Sequence, residues 1–301
     1  MASTPSSTSQ QIDDPKYVLA GLADYHDGSF IGEGGTPILY RRWLPITAAR
    51  RGTVVIVHGL GEHGGRYLNL VRRLLAEGYA CYAQDHRGFG RSGGKRGHVN
   101  RFADYLLDMK RTVAMARSEG GEQSLTLYGH SMGGLISIHY LHQYGATVDR
   151  AIIGSPALGM PGGRVGPGLM ALLQVMSRVY PTFTIDNRGS EPVSRDPEVI
   201  AEFDTDSLGN RLVTARWATE MMTAQANWPK TIDKITLPIL VMQGMQDRLV
   251  VPSLSQKFFR DLPATDKTLY LYPDHFHELH NDLDREKPLG DLAAWLNQRV
   301  G

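Results

Sequence analysis

The chain has one cysteine, Cys81, in 301 residues. No internal disulfide can brace it, and nothing in it requires an oxidising compartment. Cys81 lies in the apolar stretch Tyr79 to Ala83 and reads as a small buried hydrophobe. Charge of one sign is lacking too: 32 Lys and Arg against 31 Asp and Glu leave a formal net charge of +1. With no basic run standing out, a nucleic-acid partner is not expected. No uninterrupted apolar segment approaches the ~18 residues of a membrane-crossing helix. The N-terminus, MASTPSSTSQQIDDPK, lacks both the basic start and the apolar core of a leader, and residues 1–17 read as a disordered tail. The expectation is a cytoplasmic protein that meets a membrane, if at all, peripherally. What is present is core material: 42% of the residues are hydrophobic and 21% charged, enough for one large domain with an insertion.

Periodicity organises that material. Gly28 to Gly32 and Pro37 to Leu44 read as antiparallel strands around a turn at 33–36. From Thr53 to Val57 onward, buried strands alternate with amphipathic helices: strands at Tyr79 to Ala83, Leu125 to Tyr128 and Ala151 to Gly154, and helices at Leu68 to Glu77 and Arg101 to Arg117. That is the pattern of a mostly parallel sheet with helices on both faces, an α/β fold. The alternation breaks after Gly154 and resumes at Leu237 to Met242, with a helix at Ser253 to Leu262, a strand at Thr268 to Tyr272 and a last helix at Leu289 to Val300. Residues 18–154 and 229–301 are therefore expected to form the core domain, and 155–228 a cap above the carboxyl ends of the strands, where open α/β sheets bind ligands.

The chemistry centres on Gly129-His130-Ser131-Met132-Gly133, between an apolar strand and a helix-like segment. A serine hydroxyl becomes a nucleophile when a tight strand-to-helix turn exposes it to a base and to backbone N–H groups that meet the oxyanion. Glycines two residues before and after it make that turn possible. Gly59, Gly61 and Gly64 carry a rival reading, the dinucleotide fingerprint G-x-G-x-x-G, with Asp85 closing the next strand about 20 residues later. Two strands ahead of the loop and His58 against its first glycine count against the rival. Under the hydrolase reading the Leu60 and Met132 N–H groups form the oxyanion hole. Asp247, which follows a buried strand, fits as the acid, and no carboxylate lies between Asp149 and Asp186 to compete. The base is one of His275, His277 and His280, which spacing alone does not separate.

Five stretches, HGLGEHGGRY at 58–67, DHRGFGRSGG at 85–94, GHSMGG at 129–134, QDRLV at 246–250 and YPDHFHELH at 272–280, resemble the monoacylglycerol lipase and lysophospholipase group of α/β-hydrolases. The resemblance runs from about Gly28 to the C-terminus and is weakest in the cap. Its H-x-x-H pattern implies that His277 is the base and His280 a structural neighbour, with His275 an extra imidazole outside the pattern. His58, Glu62, His63 and Arg66 match the family's loop and are expected to stiffen it. The implied activity is hydrolysis of monoacylglycerols or lysophospholipids through an acyl-enzyme, with Ser131, His277 and Asp247 as the triad and neither metal nor cofactor. Leu169, Leu172 and Met176, in the apolar cap segment, are candidates for contact with an acyl chain, or for a patch resting on a lipid surface. A small-ester carboxylesterase and a ligand sensor without turnover are the alternatives on the same fold.

Overall fold

A computed structural model describes residues 15–121, 123–161, 166–186 and 191–299. Its centre is an eight-stranded sheet in the order β1-β2-β4-β3-β5-β6-β9-β10. The hairpin β1 (Ala23–Ile31) and β2 (Pro37–Pro45) forms one edge, and β2 runs antiparallel to β4 (Tyr79–Gln84). Next come β3 (Gly52–Val57), β5 (Leu125–His130), β6 (Arg150–Gly154), β9 (Ile239–Gly244) and β10 (Lys267–Tyr272). From β4 to β10 every pairing is parallel.

Alternation along the strands builds two cores. Val55 and Val57 of β3 face one side, with α2 (Phe102–Gly120), α3 (Met132–Tyr144) and α7 (Pro252–Asp261) supplying Met109, Ile136 and Phe258. Val54 and Ile56 face the other, against α1 (Leu68–Ala76) and α8 (Glu286–Asn297), which bring Leu74 and Leu292. Strands covered on both faces have no polar side to show, which is why the central ones read as near-continuous apolar runs.

Between β6 and β9 the chain leaves the sheet as α4 (Pro167–Val179), β7 (Thr184–Asp186), α5 (Pro197–Thr205), β8 (Leu212–Thr214) and α6 (Ala215–Asn227). The cap has a small sheet of its own, in which Thr184 to Asp186 pairs antiparallel with Leu212 to Thr214. The helix begins at Ala215, where the Thr214 hydroxyl accepts the Trp217 N–H and caps it. Of the N-terminal tail, 1–14 lies outside the described residues. Residues 15–17 form a short helical turn with Tyr17 buried, its carbonyl accepting the Trp43 indole N–H at 2.7 Å. Ordered chain therefore starts ahead of residue 18. Among the described residues no helix is long and apolar enough to cross a membrane.

Candidate active site

Ser131 stands between β5 and α3 with φ 54° and ψ −120°, a conformation a non-glycine residue holds only where its surroundings enforce it. Three main-chain hydrogen bonds enforce it: Ser131 N–H donates to Gly154 O, and its carbonyl accepts from Leu135 and Ala157. The flanking glycines are sterically required. A Cβ on Gly133 would be driven into the Val57 and His58 carbonyls, and one on Gly129 into Ser137 and the Gly133 carbonyl. Met132 is the first residue of α3, so its N–H lies ahead of the helical ladder, at the positive end of the dipole. The loop after β3 presses against the serine, since a Cβ on Gly59 would lie 3.2 Å from the Ser131 Cβ. Among the described residues the Leu60 N–H has no main-chain acceptor.

Asp247, just beyond β9, is held by four donors. The Leu249 and Val250 N–H groups reach Oδ1 at 2.9 and 3.1 Å, the Gln243 amide reaches Oδ2 at 3.1 Å, and His277 Nδ1 reaches Oδ2 at 2.7 Å. Burial opposes the charge on Asp247, but the His277 charge and these hydrogen bonds outweigh it and hold the carboxyl below its usual value. A carboxylate only accepts, so Nδ1 carries the hydrogen and the neutral ring keeps Nε2 free to take a proton. Burial also opposes the charged form of His277, and the Asp247 charge and hydrogen bond, then Glu278 and Glu62, outweigh it and raise its pKa above 6.5. Among the described residues no hydrogen bond joins His277 to Ser131, a separation common in ligand-free sites.

The other two histidines of this loop point elsewhere. His280 stacks on Tyr67 with centroids 4.5 Å apart, Nδ1 lies 3.4 Å from the Tyr128 hydroxyl, and burial pushes its pKa well down. His275 works through its main chain: its carbonyl accepts the Gln246 N–H at 3.0 Å, which ties the Asp247 loop to the His277 loop. Gln243 was not singled out in the sequence, although a glutamine inside an otherwise apolar strand was a signal. Its oxygen accepts the Ser255 hydroxyl at 2.6 Å, which turns its amide toward Asp247.

The loop after β3 is stiffened from several sides. His58 Nδ1 donates to Gly59 O, and its Nε2 accepts the His86 N–H at 2.8 Å. Burial lowers the His58 pKa to about 4, so the ring stays neutral. His63 Nε2 meets Asp206, ahead of β8, at 2.9 Å, and the Asn210 N–H donates to Gly61 O. Asp85, the acid of the nucleotide reading, is fully buried and taken by Arg41, Gly64 N–H and Arg91 N–H, so it cannot serve a ribose.

The three candidate acyl contacts part company on α4. Leu169 and Leu172 are 54% and 56% exposed, while Met176 is partly covered. Val175 and Val179 are exposed with the leucines, at positions that recur along one side of the helix.

The family described as serine aminopeptidase, S33, matches residues 48–284. A monoacylglycerol lipase of Mycolicibacterium smegmatis is 34% identical over 269 residues, 89% of this chain and 95% of that one. Phospholipase YtpA of Bacillus subtilis is 29% identical over 82% of this chain and 95% of its own. Among solved structures, the monoacylglycerol lipase of Paleococcus ferrophilus superposes with a TM-score of 0.76 at 26% identity, covering 91% of this chain and 98% of that one. With the serine elbow, the paired Asp247 and His277 and the mostly parallel sheet that carries them, these likenesses show that the chain belongs to the serine aminopeptidase S33 family of α/β-hydrolases, in its monoacylglycerol lipase group.

Proposed function

We propose that the protein hydrolyses long-chain monoacylglycerols to fatty acid and glycerol through an acyl-enzyme on Ser131. His277 removes the serine proton and returns it to the leaving alcohol, while Asp247 fixes its tautomer and offsets its positive charge. The Leu60 and Met132 N–H groups receive the oxyanion, each worth about 10²-fold or more in rate. Water, activated by the same histidine, then frees the acid. The observation that carries this reading is the 2.7 Å hydrogen bond between Asp247 and His277 on adjoining loops, at the same sheet end as the strained Ser131 turn.

Residues 155–228 serve as the cap in this reading. The exposed residues of α4, Leu169, Leu172, Val175 and Val179, meet the lipid phase as a peripheral contact, and the half-buried Met176 beside them meets the acyl chain. The relatives' names support the substrate class. Hydrolysis of 1-oleoylglycerol, lysophosphatidylcholine and p-nitrophenyl acetate by the purified protein tests it. Turnover of 1-oleoylglycerol should have the highest kcat/KM. Preference for lysophosphatidylcholine would move the assignment to a lysophospholipase, and activity on the acetate alone to a small-ester carboxylesterase.

The raised pKa of His277 fixes one pH dependence. The base must be neutral, so activity falls as pH drops through its pKa, and the acid limb of kcat/KM should centre above pH 6.5. Asp247→Asn removes the raising charge and should move that limb down. An unshifted limb in a folded Asp247→Asn variant would detach Asp247 from the base.

A further inference from the structure

Glu62 is a carboxylate only 2% exposed, one turn of loop away from the oxyanion position, and the reaction as written leaves it without a task. Its Oε1 gathers three groups: the Gly59 N–H at 2.5 Å, the Tyr67 hydroxyl at 2.6 Å and His130 Nδ1 at 3.4 Å. Oε2 lies 3.4 Å from Arg66 Nε. His130 immediately precedes the nucleophile, and its Nε2 lies 3.2 Å from the main-chain oxygen of His277, with the two rings 4.7 Å apart. One side chain thus bonds the residue before Leu60 and, through one ring, reaches the residue before Ser131 and the backbone of the base.

Hydrogen counting says what state this needs. The His277 carbonyl only accepts, so His130 Nε2 carries a hydrogen. The Tyr67 hydroxyl has one hydrogen, and with Glu62 ionised it goes to Oε1. His130 Nδ1, 3.1 Å from the Tyr67 oxygen, then needs a hydrogen of its own to bond there or to Glu62. A hydrogen on each His130 nitrogen, with Glu62 ionised, gives every contact of Oε1 a donor. Burial works against the carboxylate, and the His130 hydrogen bond and charge, then Arg66, outweigh it and hold Glu62 well below its usual value. Around it, Arg66 and Tyr67 lie on its own segment, and His58 and His86 follow β3 and β4. Tyr128 and His130 come from β5, and His277, Glu278 and His280 from the loop after β10.

We propose that Glu62 is a positioning residue for the reaction, its carboxylate locking the Gly59–Leu60 turn, the His130 side of the nucleophile turn and, through His130, the His277 main chain into one buried unit. It touches no reacting atom. A misplacement of about 1 Å in such a constellation costs on the order of 10²-fold in rate, so loosening the lock falls on kcat rather than on KM. This inference rests on the proposed triad. It differs from it in predicting that a residue off the reaction path sets the geometry of two of its parts at once.

The test compares Glu62→Gln, Glu62→Asp and Tyr67→Phe with the unaltered protein on both 1-oleoylglycerol and p-nitrophenyl butyrate, with melting temperatures alongside. Glu62→Gln keeps the shape and removes the charge. It should lower kcat by about tenfold or more, leave KM within about threefold, and shift the acid limb of kcat/KM to lower pH, because the charge also acts on His277. Glu62→Asp keeps the charge but withdraws it from Gly59, so kcat should fall while the limb stays. Tyr67→Phe retains the ring against His280 and removes one donor, so it carries the kcat comparison if Glu62→Gln does not fold. A folded Glu62→Gln with kcat within about twofold and an unmoved limb would overturn the proposal. So would a kcat loss that vanishes on cooling below a lowered melting temperature. If the unaltered protein cleaves only the butyrate, the monoacylglycerol reading fails while the Glu62 comparison is still read on the butyrate.

Discussion

Ser131→Ala is expected to lower ester hydrolysis by about 10⁴-fold or more while leaving the fold intact. The loss follows from removing the only atom of the turn that can form the acyl bond. Folding survives because the strained backbone is held by main-chain partners, Gly154 O on one side and Leu135 and Ala157 N–H on the other, and these do not involve the hydroxyl. Alanine carries the same Cβ into the same φ of 54° and adds no strain. Oleate release and a melting curve check both halves. Activity retained in the folded variant would remove Ser131 from the mechanism.

His277→Ala should cost a similar factor, about 10⁴-fold or more, and the Ser131→Ala, His277→Ala double variant should be no worse than either alone, because the pair acts as a unit. Asp247 keeps three other donors when the imidazole is gone, so the buried carboxylate is not orphaned and the protein should fold. His280→Ala should separate the two histidines. It removes the ring stacked on Tyr67 and opens a gap in a packed region, so its effect should appear in the melting temperature, with kcat falling by no more than about tenfold. Steady-state kinetics on the folded variants read the difference. Equal kcat losses in His277→Ala and His280→Ala at unchanged melting temperature would undo the assignment of the base.

Much of this was legible in the chain for a physical reason. Strands buried on both faces are mostly apolar, so β3, β4 and β5 stand out as short, predominantly apolar runs. The serine turn tolerates no Cβ at 129 or 133 and so marks itself with glycine. What stayed hidden depends on partners far away in sequence. Glu62 meets His130, Gln243 meets Ser255 behind Asp247, and His63 meets Asp206, and a single polar residue in a loop does not announce its partner. The strands β7 and β8 are three residues each, too short to show a period, and Thr214 ends one while capping the next helix. In α4 Met176 falls seven residues after Leu169, so the helical period does not separate them, and only packing against α6 leaves Leu169 and Leu172 exposed and Met176 partly covered. The tail looked polar to residue 17, yet Tyr17 is buried by Trp43 and by Arg41, whose guanidinium lies 5.0 Å from its ring.

The most direct measurement is acid quenching of the protein within its first turnovers on 1-oleoylglycerol, followed by peptide mass spectrometry. The expected result is an oleoyl adduct on the peptide carrying Ser131, absent in Ser131→Ala and preserved by the acid quench, which protonates His277 and stops deacylation. An adduct on another residue, or oleate released at full rate by Ser131→Ala, would contradict a covalent mechanism centred on this serine.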